Sequence, residues 1–264
     1  MLKMIHIEKS FNIGTVNEKQ IFKGLDLTIN DGDFITVIGG NGAGKSTMLN
    51  LIAGVHKADG GRIILDGEDL TYKNETQRAK YIGRVFQDPM MGTAPTMMIE
   101  ENLAMAYRRT KKRTLAWGIS QKERELYRES LAQLGLGLED RMKTKVGLLS
   151  GGQRQAVTLL MATLQKPKLL LLDEHTAALD PATSAKVLKI SDDIIRENKL
   201  TALMVTHDMQ DAIKYGNRLV MMNNGKMILD ISGEEKKNLT IEQLLHKFEE
   251  ISGTKFATDS VILG

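Results

Sequence analysis

The chain reads as an α/β fold with a mostly parallel sheet, on three observations. Short apolar runs recur at DFITVIG, LLLLD, TALMVTH and RLVMM, each of strand length and suited to a strand buried on both faces. Between the later runs lie ATSAKVLKISDDIIREN and DMQDAIKYG, which have helical spacing, so strand and helix alternate as in βαβ units. Finally, GGNGAGKS at 39–46 matches G-x-x-x-x-G-K-[ST] between an apolar strand and a helix, the context a phosphate-binding loop requires. The expectation is a P-loop NTPase with a parallel core sheet, an antiparallel β subdomain and an inserted helical lobe.

The elements follow in order. MLKMIHIEKSF and GLDLTIN alternate apolar with other residues and read as strands joined by the polar loop NIGTVNEKQ. After DFITVIG and the glycine-rich turn, KSTMLNLIAGV has helical spacing, and GRIILDG and YIGRVF are further strands. From about 88 to 160 strand signals give way to helices, among them IEENLAMAYRR and SQKERELYRESLAQLGL, and this stretch is the expected inserted lobe. After the later strands, about 240–264 reads as a short helix and a tail without strong pattern. The whole, 1–264, is read as a single domain with that insertion.

Composition narrows the partners. A formal charge of +3 with 26% charged residues does not call for nucleic acid, and no nucleic-acid partner is expected. The absence of cysteine excludes disulfides and thiolate metal sites and fits a reducing compartment. The start lacks the apolar stretch of a signal peptide, and nowhere do about 18 apolar residues run together. Any membrane contact is therefore expected through a partner, with the cytoplasm as the default compartment.

Glycines in the 39–46 motif let successive N–H groups face phosphate oxygens, and the following helix adds its positive end. Lys45 is expected to reach the β- and γ-phosphates and Ser46 to bind Mg²⁺, with Gly39, Asn41, Gly42, Ala43, Gly44 and Thr47 completing the nucleotide cradle. LLLLDEH supplies the other half of the chemistry. Asp173, at the end of its strand, suits a carboxylate that holds Mg²⁺ through water, and Glu174 suits the residue that orients or deprotonates the attacking water.

One further motif, LSGGQRQ at 149–155, narrows the class. With GGNGAGKST, Gln87 in VFQDP, LLLLDEH, ALDP and His207 in VTHD, the chain resembles ATP-binding subunits of ABC transporters along nearly all its length. That resemblance implies that Gln87 senses Mg²⁺ and the attacking water and that His207 contacts the γ-phosphate. It places Ser150, Gly151, Gly152 and Gln153 on the ATP of the opposite subunit and Asp180 at the seam. An ATP-dependent homodimer, membrane permease subunits and an extracellular substrate-binding protein are the implied partners, with ATP and Mg²⁺ as cofactors. Phe11 matches the aromatic that stacks on adenine, and an aromatic ending a strand can equally serve packing alone.

Two features depart from the family pattern. His175 stands where most relatives have proline, either as a pH-sensitive group or, the favoured reading, as a residue that fills the loop and bonds to backbone. QAVTLLMATLQKP lacks the alanine-arginine-alanine pattern common after the signature. Together they resemble importer subunits paired with branched-chain-amino-acid-type permeases, some of whose binding proteins take aromatic amino acids. QDPMMGTAPTMMIEEN, at 87–102, matches the segment that meets the permease, and its methionines suit either an adaptable contact or the lobe's core. The basic run 107–113 reads as a solvated face rather than a lipid contact. An exporter subunit, or a soluble ABC ATPase acting on ribosomes or DNA, is the alternative. A GTP switch lacks its NKxD, since the chain's NK continues as NKLT at 198–201.

Overall fold

The computed structural model describes residues 1–109 and 118–252. It contains two compact units, one formed by residues 1–78 and those from 201 onward, the other by 79–200. In chain order the first unit begins with β1 (Leu2–Phe11), β2 (Lys19–Ile29), β3 (Phe34–Gly39), α1 (Lys45–Ala53), β4 (Gly60–Leu65), β5 (Glu68–Asp69) and α2 (Glu75–Arg78). The second unit holds β6 (Ile82–Val85), α3 (Ile99–Tyr107), α4 (Gln121–Ala132), a 3₁₀ turn (Val146–Leu148), α5 (Gly151–Thr163), β7 (Leu169–Asp173) and α6 (Pro181–Glu197). The chain returns to the first unit with β8 (Ala202–Val205), α7 (Met209–Lys214), β9 (Arg218–Asn223), β10 (Lys226–Ser232), α8 (Gly233–Lys237) and α9 (Ile241–Ser252).

Within the first unit, β3 lies between β8 and β9, parallel to both, and β10 returns antiparallel beside β9. β3 is buried along nearly its whole length, as a strand covered on both faces must be. A separate antiparallel sheet runs in the order β2-β1-β4-β5. Its first strand departs from simple alternation. Leu2, Met4 and Ile7 are buried while Ile5 and His6 are exposed, because a bulge at Ile5–His6 slips the register by one and returns Ile7 to the inner face. His6 takes φ 47 there, and a Cβ on Gly61 would lie 2.4 Å from the Ile5 and His6 carbonyl oxygens, so only glycine fits opposite. β2 begins at Lys19, earlier than its alternation suggests, because Lys19 pairs with Phe11 and Gln20 with Ser10 although both are polar.

α9 is amphipathic and lays Leu244 and Phe248 on a cluster with Leu219, Met221 and Ile231 from β9 and β10. In the second unit, Ile99 and Leu103 of α3, Tyr127 and Leu131 of α4, and Val157 and Leu160 of α5 share one core. β6 and β7 pair in parallel, with Arg84 opposite Leu171. The methionines after Gln87 contribute little to that core: Met90 and Met91 are exposed, and Met97 and Met98 are half-buried. Of the basic run, Arg108 pairs with Glu123 at 3.0 Å on an exposed surface; residues 110–113, like the tail 253–264, lie outside the described residues.

Candidate functional site: a phosphate loop and a carboxylate strand end

The phosphate loop is held open by close backbone packing. At the end of β3 a Cβ on Gly39 would come 2.3 Å from the Met222 carbonyl oxygen, and one on Gly44 would come 2.8 Å from the Phe22 ring. Gly42 and Gly44 take φ 79 and 104, conformations that favour glycine. The Ala43 carbonyl accepts from the Gly225 N–H at 3.0 Å, which ties the loop to the β9–β10 turn. Inside this ring the buried Lys45 ammonium donates to the Gly39 and Gly40 carbonyl oxygens at 2.7 and 3.3 Å. Asn41, Gly42 and Ser46 are exposed on the rim and Thr47 is half-buried. The first turn of α1 follows a glycine that has no side chain to cap it, which leaves N–H donors for an anion.

The end of β1 and the start of β2 stand beside this loop. Lys19, opposite Phe11, brings its ammonium 3.9 Å from where a Cβ on Gly42 would sit. The Phe11 ring meets His56 edge-on at 5.2 Å and Lys9 Nζ at 5.2 Å from its centroid. In the same unit β8 leads to His207, which is exposed just before the Asp208 cap of α7. Burial, reinforced by the Asp208 carboxylate, pushes the Asp211 carboxyl up to about 6.

In the second unit β7 ends at Asp173, whose Oδ2 accepts from Arg84 Nη2 at 3.1 Å. Glu174 follows with φ 41, a left-handed conformation that a glutamate rarely adopts and that is typical of functional turns. His175 is buried and bonds at 2.9 Å to the Ser191 hydroxyl of α6, a side-chain partner rather than the backbone expected. Burial pushes its imidazole down to about 4, so it is neutral at physiological pH.

Gln87 is exposed two residues beyond β6. Next to it, the Phe86 carbonyl accepts from Gln155 Nε2 of α5 at 3.1 Å. Ser150 caps α5: its hydroxyl accepts from the Gln153 N–H at 3.3 Å, and the Gln153 carboxamide oxygen accepts from the Ser150 N–H at 3.2 Å. Gly151 and Gly152 admit the following segment, since a Cβ on Gly152 would lie 2.2 Å from Thr183 Cγ2 and one on Gly151 would lie 3.0 Å from Leu179 Cδ2. Asp180 caps α6 by accepting from the Thr183 N–H at 3.1 Å, and hydrogen bonding from the Thr183 side chain, then from its N–H, holds the carboxyl below the usual range. Sequence reasoning missed Arg84 and Gln155. Their signals were a lone arginine inside the strand YIGRVF and a polar residue on the buried face of α5.

A glycine-lined anion loop opening a helix, together with a strand ending in paired carboxylates and a capped LSGGQ helix, defines a nucleotide-hydrolysing cassette. The family model described as ABC transporter matches residues 22–177, and the chain belongs to that family. It is 45% identical over 249 residues, 94% of this chain and 99% of the relative, to a tyrosine transport ATP-binding protein of Clostridioides difficile (strain R20291). It is 34% identical over 258 residues to the spermidine/putrescine import ATP-binding protein PotA of Haemophilus ducreyi (strain 35000HP / ATCC 700724), covering 96% of this chain but only 65% of PotA. Among solved structures it resembles the dimeric cassette MJ0796 in a post-hydrolysis state with ADP and Pi, with TM-score 0.74 and 29% identity over 88% of this chain and 98% of that one. The ADP conformation of the cassette MJ1267 matches with TM-score 0.75 and 28% identity over 97% of this chain and 99% of that one. The chain is an ATP-binding, ATP-hydrolysing subunit of an ABC transporter.

Proposed function

We propose that this subunit energises uptake of an aromatic amino acid, of which tyrosine is the first candidate, through a permease of the branched-chain-amino-acid type. The observation that carries the cargo is the 45% identity, end to end, with a relative named for tyrosine transport. Support for the chemistry lies in the loop and the strand end. Lys45 and the loop N–H groups bind the phosphates of ATP, Phe11 stacks on adenine, and Ser46 and Asp173 hold Mg²⁺. Hydroxyl, carboxylate and water are the hard oxygen donors that this ion takes. Bound there, the ion neutralises charge on the phosphate oxygens.

Glu174 positions the attacking water, aided by Gln87 and His207. Ser150, Gly151, Gly152 and Gln153 serve the ATP of a second copy, with Asp180 at the seam, so turnover requires the dimer. The lobe of about 88–160 meets the permease on the cytoplasmic face of the membrane, where exposed Met90 and Met91 offer an adaptable apolar contact. An extracellular binding protein delivers the cargo. Among the described residues no helix is long and apolar enough to cross a membrane.

The test is uptake of labelled tyrosine by cells whose own copy is replaced by wild type or by Glu174→Gln. Uptake that needs the wild-type chain and is blocked by unlabelled tyrosine supports the assignment. Undiminished tyrosine uptake in cells lacking the chain overturns the cargo.

A further inference from the structure

Arg84 is the charged residue in an otherwise apolar strand, and the placement of its side chain is specific. β6 and β7 run parallel with Arg84 opposite Leu171. Side chains two residues apart on a strand share a face, so a long arginine at 84 reaches Asp173 at the strand's carboxyl end. The reach is made: Nη2 donates to Asp173 Oδ2 at 3.1 Å, with the two side chains only 12% and 15% exposed. The guanidinium also lies 4.6 Å from the centroid of the Phe86 ring, immediately before Gln87. Phe86 is fixed in turn through its carbonyl, which accepts from Gln155 of the signature helix α5. One donor of the guanidinium, Nε, is buried with no hydrogen-bond partner among the described residues.

We propose that Arg84 is a positioning residue at the metal site: its ion pair holds the Asp173 carboxylate in place of the metal and so competes with Mg²⁺ for its charge. The inference rests on the reading of Asp173 as the Mg²⁺ carboxylate. A guanidinium and a divalent ion drawing on one partly dehydrated carboxylate repel each other, and each weakens the other's hold by the same factor. Because the unpartnered Nε leaves the arginine short of a full set of bonds, shifting it forfeits less than shifting a fully bonded group. The arrangement makes the strand leading into Gln87 sensitive to whether the metal is in place. That sensitivity belongs to this chain through one residue, position 84, rather than to any of the nucleotide motifs.

The test is a Mg²⁺ titration of the binding of a fluorescent ATP analogue to the full chain, in a Glu174→Gln background so that no turnover intervenes. Arg84→Met keeps length and removes charge. It is expected to lower the half-saturating Mg²⁺ concentration about fivefold and to leave binding of the analogue in EDTA unchanged. Arg84→Lys, which keeps the charge without the fork, is expected to fall between and serves if Arg84→Met does not fold by thermal denaturation. An unchanged or raised half-saturation point in the folded variants overturns the proposal. Asp173→Asn separates the two levels. If it raises the Mg²⁺ requirement while the Arg84 variants do not move it, only the role of Arg84 falls. If Asp173→Asn leaves the requirement at the wild-type value, the metal reading falls and the inference with it.

Discussion

His175 Nε2 lies 2.9 Å from Ser191 Oγ, and the Ser191 hydroxyl lies 2.9 Å from the Val187 carbonyl. A hydroxyl has a single proton, and the carbonyl can only accept, so Ser191 donates to Val187 and the imidazole donates to Ser191. The buried ring is therefore the neutral tautomer protonated at Nε2. A pH sensor working near neutrality must change charge there, and this ring does not. His175→Pro is expected to leave the shape of the ATPase rate against pH unchanged between pH 6 and 8. A lost or displaced inflection in steady-state assays would show that the ring titrates in the working range after all.

The same histidine sets a slope in stability. Its folded pKa, about 4, lies below its unfolded value, so the unfolded chain binds the extra proton. The contribution is complete above the unfolded value and is lost as pH falls from about 6.5 toward 4, amounting to about 3 kcal/mol over the whole window. Denaturant unfolding at pH 7 and pH 5 should show part of this loss, and His175→Pro should show less of it.

Asp211 runs the opposite way. Its folded pKa is raised to about 6, so the folded chain holds the proton longer than the unfolded one. That contribution is present at low pH and is lost as pH rises through about 4 to 6. Asp211→Asn should gain about 1–2 kcal/mol relative to wild type above pH 6 and nothing at pH 4. Unfolding curves at the two pH values check it, and an equal effect at both would contradict the buried carboxyl.

Glu174 joins strain to chemistry. Its φ of 41 costs a residue with a Cβ about 1 kcal/mol that glycine does not pay. Glu174→Gly should therefore fold at least as stably as Glu174→Ala, and both should hydrolyse ATP at least 100-fold more slowly than wild type. Melting temperature and phosphate release separate the two effects.

Gly152 is a matter of space. A Cβ there would lie 2.2 Å from Thr183 Cγ2, so Gly152→Ala should destabilise the chain by about 1–3 kcal/mol. Thr183→Ser deletes the clashing methyl, and the double variant should recover most of the loss. A purely additive double-mutant cycle in urea denaturation would mean that the contact is not what glycine is needed for.

What was legible in the sequence was local. The phosphate loop, the apolar strands and the carboxylates at the end of LLLLD each sit in one continuous stretch whose pattern follows from its own backbone geometry. The LSGGQ helix start is legible for the same reason, since Ser150 and Gln153 cap within four residues of chain. What was not legible depends on partners far away in sequence. The bulge at Ile5–His6 exists because Gly24 and Gly61 on the flanking strands leave room for it. β2 starts at polar Lys19 because Phe11 offers it a partner. The role of Arg84 depends on Asp173, 89 residues on, which accepts its hydrogen bond. Similarly, His175 read as a loop residue because Ser191 belongs to the next helix.

The most direct test of the central claim is to tag Glu174→Gln in its native cell, solubilise the membranes gently with ATP and Mg²⁺, and identify what copurifies. With hydrolysis blocked, the contacts that both copies make to bound ATP should persist and hold the assembly together. The account predicts recovery of a polytopic membrane subunit with the tagged chain in two copies, accompanied by an extracellular solute-binding protein. Recovery of ribosomes or DNA-associated proteins with no membrane subunit would contradict it.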